Sequence, residues 1–141
     1  MTRVVVDAST ALAWCFPDET SADADNVLVS LEGKTELVPA VWGLEIANAV
    51  LAGERKKRLT QPEIRRFTVL LESLSLVQDV QPVGEHIDKV LPLARKYNLS
   101  AYDAAYLELS IRTGAPLATL DEKLGKAASH AGVKRFVVET D

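Results

Sequence analysis

The sequence is poor in cysteine and has no long apolar run. Its 141 residues include a single cysteine, Cys15, which excludes an internal disulfide framework. Because Cys15 lies between Trp14 and Phe16, we expect a buried thiol rather than a nucleophile. No apolar run approaches the roughly 18 residues that would suggest a membrane-spanning helix, and the N-terminus shows no signal-peptide pattern. These absences predict a cytoplasmic protein.

An excess of positive charge is also missing. The chain has 16 Lys and Arg residues against 20 Asp and Glu residues, which gives a net charge of −4. A protein that holds nucleic acid over a uniformly basic surface needs clustered Lys and Arg, so any such contact must be local here. The densest basic segment is Arg55, Lys56, Lys57 and Arg58, after an apolar helical stretch. We expect it to favour the negative end of that helix and, as a second use, to contact a phosphate backbone.

The glycine patterns of common phosphate-binding folds are absent. A P-loop requires a glycine-rich loop that ends in lysine, and a dinucleotide-binding fold requires closely spaced glycines; neither pattern occurs. A haloacid-dehalogenase-type phosphatase would need a second aspartate two positions after Asp7, where this chain has Ser9. These three α/β classes are therefore excluded.

The composition is that of an ordinary globular protein. Apolar residues make up 48% and charged residues 26% of the chain, and we find no repeats or low-complexity segments. A chain of this length can bury roughly two thirds of its unfolded surface, as a compact domain does. We therefore expect one domain over residues 1–141.

Short β-branched runs alternate with helical periodicity along the chain. The predicted strands span residues 4–6, 36–39, 116–120 and 135–138, with a further short strand within residues 76–83, and the predicted helices span residues 9–16, 23–31, 41–51, 60–74, 85–97, 100–112 and 122–131. The helix over residues 41–51 is apolar almost throughout, which predicts burial on most sides. Strands that alternate with helices imply an α/β domain with a mainly parallel sheet, because parallel neighbours need long crossovers.

Two aspartates follow predicted strands, and a third lies near the start of a predicted helix. Asp7 and Asp121 lie at the carboxyl ends of strands, where ligands bind in sheets of this kind. Either could instead cap the helix that follows it. Asp103 could be the returning member of a capping box that begins at Ser100. Taken singly, each of the three is better explained by capping.

Glu45 is harder to explain structurally, because it lies within the apolar helix over residues 41–51. A lone ionised carboxylate is costly to bury, so Glu45 needs a distant Lys or Arg, a wet cleft or a metal ion. A site of oxygen ligands without histidine or cysteine suits Mg²⁺ or Mn²⁺, and we assign no role to His86 or His130. Such a metal site would suit phosphodiester hydrolysis. The hypothesis requires carboxylates far apart in sequence to converge.

At these residues the chain resembles PIN-domain ribonucleases, and among them the VapC toxins of VapBC toxin–antitoxin pairs. The resemblance covers nearly the whole chain, and the order of its segments makes it specific. The segments are Val5-Val6-Asp7-Ala8-Ser9, Pro17-Asp18-Glu19, Val38-Pro39-Ala40, Glu45-Ile46-Ala47-Asn48-Ala49, Leu99-Ser100-Ala101-Tyr102-Asp103-Ala104-Ala105-Tyr106-Leu107 and Leu117-Ala118-Thr119-Leu120-Asp121.

The resemblance implies a fold, a site and partners. It implies a three-layer α/β/α PIN-like domain with a mainly parallel central sheet, which cleaves RNA and forms a homodimer. It also implies inhibition by a VapB antitoxin whose C-terminal segment lies over the active-site groove. The implied catalytic and metal-binding residues are Asp7, Glu45, Asp103 and Asp121 around Mg²⁺ or Mn²⁺, and the implied supporting residues are Ser9, Asn48 and Thr119. The basic segment of residues 55–58 would then contact the RNA backbone.

A second function class stays open on the sequence alone. A PIN fold could act as a protein-binding module whose acidic cluster is idle or holds an arginine of a partner. A complete set of four carboxylates is more than such a module requires, which favours the enzyme. The sequence shows no element that would read a base sequence in RNA.

Overall fold

A parallel sheet organises the chain, which a computed structural model describes over residues 2–19 and 21–136. Within those residues the sheet has four strands: β1 (Arg3–Val6), β2 (Thr35–Pro39), β3 (Leu76–Asp79) and β4 (Leu117–Ala118). Their order is β3-β2-β1-β4, and every neighbouring pair is parallel. The predicted parallel α/β architecture is confirmed.

Helices make the crossovers that a parallel sheet requires. They are α1 (Ala8–Cys15), α2 (Ala22–Ser30), α3 (Trp42–Arg55), α4 (Gln61–Ser73), α5 (Val83–Tyr97), α6 (Ala101–Thr113) and α7 (Glu122–His130), with a 3₁₀ turn at Pro17–Glu19. None of these helices is long and apolar enough to cross a membrane.

The helix ends follow local sequence signals. A full capping box between Thr60 and Glu63 begins α4, as the sequence predicts. Asn98 ends α5 in the left-handed conformation, at a φ of 52°, and Gly114 ends α6 at a φ of 72°. Pro92 lies inside α5, which continues through it.

The two faces of the sheet bury different sets of side chains. Val5 on β1 contributes to the larger core, together with Leu37, Leu117 and apolar residues from α1, α3 and α6. Val4 and Val6 point to the other face and pack in a smaller core with Val27 and Leu31 from the α2 region. Helices therefore cover both faces, and the three-layer arrangement is confirmed.

The prediction that the apolar helix at residues 41–51 is buried on most sides is wrong. Helix α3 buries only Trp42, Ile46 and Gly53, while Leu44 is 74% exposed and Leu51 41% exposed. The helix packs through one face, against α1 among other elements, while Leu44 and Leu51 face outward. An apolar sequence does not show whether a helix is buried by the other elements of its own domain or leaves one apolar face exposed.

Three of the predicted strands can be compared closely with the structure, and one of them is shorter than predicted. The strand predicted over residues 116–120 is reduced to Leu117–Ala118, because the chain turns at Thr119 to begin α7. The short strand predicted within residues 76–83 is confirmed as β3, which ends at Asp79, and α5 begins at Val83. Of the strand predicted over residues 135–138, Arg135 forms a parallel bridge with Leu117, and residues 137 and 138 lie outside the described residues.

Candidate active site

Asp7 lies at the carboxyl end of β1, the strand between β2 and β4, and only 3% of its surface is exposed. The Ser9 hydroxyl lies 2.8 Å from each of its carboxylate oxygens, and the amide and hydroxyl of Thr10 each donate to Oδ1 at 3.0 Å. The hydroxyl of Thr119 donates to Oδ2. Burial raises the pKa of Asp7, and these hydrogen bonds oppose that rise. Asp7 also caps α1, so capping and a place in the site are compatible roles.

Thr119 links the ends of two neighbouring strands. While its hydroxyl donates to Asp7, the same oxygen accepts a hydrogen bond of 3.0 Å from the backbone amide of Asp121. The amide of Leu120 donates to the Ser9 hydroxyl at 3.3 Å. Asp121 in turn caps α7. Hydroxyls and amides thus hold the β4–α7 turn against the end of β1.

Glu45 lies in the first turn of α3, and its partner is a phenol. The Tyr106 hydroxyl donates to Oε1 at 2.7 Å. Partial burial raises the pKa of Glu45, the Tyr106 hydrogen bond lowers it, and the charges of Asp103 and Asp7 raise it further. Burial and the neighbouring Glu45 raise the pKa of Tyr106, which keeps its proton. Sequence reasoning missed Tyr106, although its position three residues after Asp103 on α6 offered a signal.

Asp103 lies in the first turn of α6, beside the other carboxylates. The Ser100 hydroxyl accepts a hydrogen bond of 3.1 Å from the Asp103 amide and so caps the helix. Burial raises the pKa of Asp103, and the charges of Asp121 and Asp7 raise it further. Ser100 and the cation of Lys123 act in the opposite direction. The start of α6 therefore brings Asp103 into electrostatic contact with both strand-end aspartates.

The four carboxylates form one electrostatic group, which we call the acidic cluster. Its members are Asp7, Glu45, Asp103 and Asp121. Asp7 raises the pKa of both Glu45 and Asp103, Asp103 raises that of Glu45, and Asp121 raises that of Asp103. Such mutual repulsion is relieved when a divalent cation binds between the groups.

The acidic cluster is not a closed metal cage. Within residues 2–19 and 21–136, no three His, Cys, Asp or Glu side chains are placed so that they could hold a metal ion. Mg²⁺ commonly keeps several water ligands and takes only one or two carboxylates directly, so a looser cluster still suits it. An all-oxygen donor set without histidine or thiolate fits Mg²⁺ or Mn²⁺ and does not suit Zn²⁺.

Asn48, implied as a supporting residue, forms no hydrogen bond with the acidic cluster among the residues that the structure describes. It lies one turn after Glu45 on α3, is exposed, and forms no hydrogen bond with another residue in the described part of the chain. The supporting contacts that the structure does contain come from Ser9, Thr10, Thr119 and Tyr106.

The basic segment of residues 55–58 lies at the far end of α3. Ten residues separate Glu45 from Arg55, which corresponds to about 15 Å along a helix axis. Arg58 is already engaged: its guanidinium donates to both carboxylate oxygens of Asp18, at 3.1 and 3.0 Å, and lies 4.4 Å from the centre of the Phe16 ring. Arg55 lies in the last turn of α3, where a cation stabilises the helix end.

Comparison with known proteins identifies the family. The family model for the PIN domain matches residues 4–129 of this chain. The protein named Ribonuclease VapC3 from Pyrobaculum aerophilum is 29% identical over 124 residues, which span 88% of this chain and 93% of that protein.

Solved structures share the fold. A crystal structure of PAE2754 from Pyrobaculum aerophilum has a TM-score of 0.67 and 25% identity, and covers 89% of this chain and 79% of its own. A crystal structure of VapBC2 from Rickettsia felis, bound to a DNA fragment, has a TM-score of 0.68 and 12% identity, and covers 96% and 98%. The family match extends over most of the chain, and these structures share its α/β/α fold. The chain therefore belongs to the PIN-domain family and, within it, is similar to the VapC proteins.

Proposed function

We propose that this protein is a metal-dependent endoribonuclease and the toxin of a toxin–antitoxin pair. The observation that carries the proposal is the acidic cluster at the carboxyl edge of the sheet, in which Asp7 and Asp103 raise the pKa of Glu45, and Asp7 and Asp121 raise that of Asp103. The similarity to a protein named Ribonuclease VapC3 supports RNA as the substrate. We take residues 1–141 as one domain for this activity.

A bound Mg²⁺ or Mn²⁺ would supply a water of lowered pKa and would stabilise the charge that develops at phosphorus. The contribution of this chain is to hold the ligands in place. Ser9, Thr10 and Thr119 orient the Asp7 carboxylate, and Tyr106 orients that of Glu45. Because the pKa values of Asp7, Glu45 and Asp103 are raised, metal binding there would release protons, and metal affinity would rise with pH.

Exposed apolar side chains support the proposal that this protein binds protein partners. Val83 and Ile87 on α5 are 76% and 50% exposed, and an apolar groove between α5 and α6 is lined by Val90, Leu91 and Tyr102 among others. Exposed apolar patches of this kind commonly mark interfaces. Together with the similarity to VapBC2, this surface supports a homodimer and a VapB-type antitoxin as partners.

The decisive test is cleavage of a mixed pool of cellular RNA by the purified protein without any partner. We expect discrete cuts with Mg²⁺ or Mn²⁺, none with a chelator, and none from an Asp7→Asn variant. Absence of cleavage with either metal, by protein shown to be folded, would contradict the proposal and favour a PIN-fold protein-binding module.

A further inference from the structure

A polar pocket of about 220 Å³ lies directly beside the acidic cluster. Thr10 and Thr119, which both hydrogen-bond to Asp7, form part of its wall. Asn26 of α2 lines the pocket, and its side chain makes no hydrogen bond with the rest of the described chain. The pocket also contains Arg135. A ligand bound there would lie next to a group held by the cluster.

The guanidinium of Arg135 retains most of its binding capacity. One of its nitrogens donates to the Thr119 carbonyl at 2.9 Å, which fixes the group beside the turn between β4 and α7. No carboxylate among the described residues forms an ion pair with it, including Asp23, which lines the same pocket and is exposed. A guanidinium has five N–H donors in a planar fork that matches the oxygens of a phosphate.

The helix beneath Arg135 is shaped to accommodate it. Gly125 lies within α7, and a Cβ atom added there would come within 2.9 Å of both Cζ and a terminal nitrogen of the guanidinium. Glycine weakens the interior of a helix relative to alanine, so its presence needs a local reason. The missing side chain lets the guanidinium lie against the helix.

Charge explains why a cation at this position matters. The acidic cluster and the net charge of −4 both repel a polyanion. Two other arginines are already paired, since Arg112 is bound to Asp79 and Glu108 and Arg58 to Asp18. Arg135 places an unpaired positive charge close to the carboxylates. Its guanidinium donates to the Thr119 carbonyl, and the Thr119 hydroxyl donates to Asp7.

We propose that Arg135 is a positioning residue that binds a phosphate of the RNA backbone in this pocket, next to the phosphodiester bond at the acidic cluster. Asn26 lines the same pocket, and its amide would donate a second hydrogen bond to that phosphate. This role rests on the proposed ribonuclease function and adds a subsite for the strand that flanks the cut.

The first test measures binding of labelled single-stranded RNA of mixed sequence to full-length protein carrying Asp7→Asn, which prevents cleavage. Arg135→Gln should weaken binding about tenfold and reduce the slope of log affinity against log salt concentration by roughly 0.7, the value for one phosphate contact on a single strand. Arg135→Lys should restore the slope and part of the affinity, because the charge returns without the planar fork. In protein with Asp7 intact, Arg135→Gln should raise KM about tenfold and leave kcat within about twofold.

A second variant displaces the Arg135 side chain without replacing the residue. Gly125→Ala should displace the guanidinium and weaken RNA binding severalfold, while the melting temperature stays the same or rises because alanine favours the helix. The matched control is Arg95→Gln on α5, which removes an equal charge from an exposed site outside the pocket and should leave affinity within about twofold.

The outcomes separate the two proposals, because binding reports on the subsite and cleavage reports on the function. Unchanged affinity and salt slope in Arg135→Gln, with wild-type protein cleaving RNA, would overturn the subsite alone. A lower melting temperature and lower kcat at constant KM would also overturn it and leave Arg135 as a structural support for Thr119. If wild-type protein cleaves no RNA while Arg135→Gln still loses binding, the subsite stands and the ribonuclease fails.

Discussion

Two buried carboxyl groups on neighbouring strands have opposite surroundings. Asp7 at the end of β1 is 3% exposed and accepts hydrogen bonds from Ser9, Thr10 and Thr119. Glu36 within β2 is 1% exposed, and neither of its carboxyl oxygens has a partner in the described part of the chain. Burial raises the pKa of Glu36 to about 7.

The difference follows from position along a strand. In the middle of a parallel sheet the backbone amides already bond to adjacent strands, and Glu36 lies between Val4 and Leu76, which offer no polar side chain. At the end of a strand the chain turns, and amides and hydroxyls become available to a carboxylate. Hydrogen bonds therefore offset part of the effect of burial on the pKa of Asp7, whereas no described residue offsets it at Glu36.

The largest expected effect comes from removing the charge of Asp7. Asp7→Asn should lower RNA cleavage about a thousandfold or more, corresponding to roughly 4 kcal/mol, because a metal ligand and its charge are lost. Folding should be preserved, since asparagine caps helices as well as aspartate does. The measurement is initial cleavage rate together with thermal unfolding. The matched control is Glu36→Gln, the same chemical change at the other buried carboxyl, which should cleave RNA at the wild-type rate. Equal rates for both variants would refute the distinction.

The second effect is the pH dependence that Glu36 gives to the free energy of unfolding. Because the folded-state pKa of Glu36 is about 7 and the unfolded value 4.5, the folded state binds the proton more tightly, and stability falls as the pH rises through this window. At pH values above the folded-state pKa, the loss in the free energy of unfolding should approach about 3 kcal/mol. Glu36→Gln removes this titration, so the stability gain over wild type should be near zero at about pH 4 and largest at about pH 8.5. Urea unfolding at both pH values measures it, and a difference independent of pH would contradict the assignment.

A third effect tests the donors around Asp7. Thr119→Val removes the hydroxyl that bonds to Asp7 and to the Asp121 amide, and should lower cleavage or metal affinity about 10- to 100-fold, as the loss of a group that orients a metal ligand commonly does. Thr119→Ser keeps the hydroxyl and should recover most of the activity. A titration of cleavage rate with Mn²⁺ distinguishes lost affinity from lost turnover. If valine and serine behaved alike, the hydroxyl would not be the relevant group.

The smallest effect lies at Glu45. Tyr106→Phe removes the hydrogen bond that lowers the pKa of Glu45, so protons compete better with the metal. We expect the metal concentration for half-maximal cleavage to rise a few-fold, and more at about pH 6 than at about pH 8. Titrations with Mg²⁺ at the two pH values give the answer. A rise that grew with pH would have the wrong sign.

The sequence predicts those features of the fold that are determined by residues close together in the chain. The capping box at Thr60, the stop at Gly114 and the alternation of strands with helices depend on neighbouring residues, and all are confirmed. The exposure of Leu44 on α3 could not be predicted, because it depends on which helices pack nearby. That the carboxylates of the acidic cluster meet was a hypothesis from strand ends and resemblance, and their catalytic role stays a prediction.

Three residues with distinctive surroundings were missed. Tyr106 and Arg135 form hydrogen bonds with residues outside their own helix or turn, Glu45 and Thr119. Glu36 gave a readable signal, since a strand of a parallel sheet is buried on both faces and rarely contains an acidic residue. The hydrogen-bond partners of Tyr106 and Arg135, in contrast, can be identified only once the fold is known.

The link through Thr119 has a consequence for how the site responds to acid. Its two hydrogen bonds join a side chain and a backbone amide to one neutral oxygen, and a hydroxyl can pair with a carboxyl group in either protonation state. The spacing of the β1 and β4 ends is therefore not set by attraction between charges. When the carboxyls take up protons, the architecture around them can persist, and the site can regain its charge on return to neutral pH without refolding.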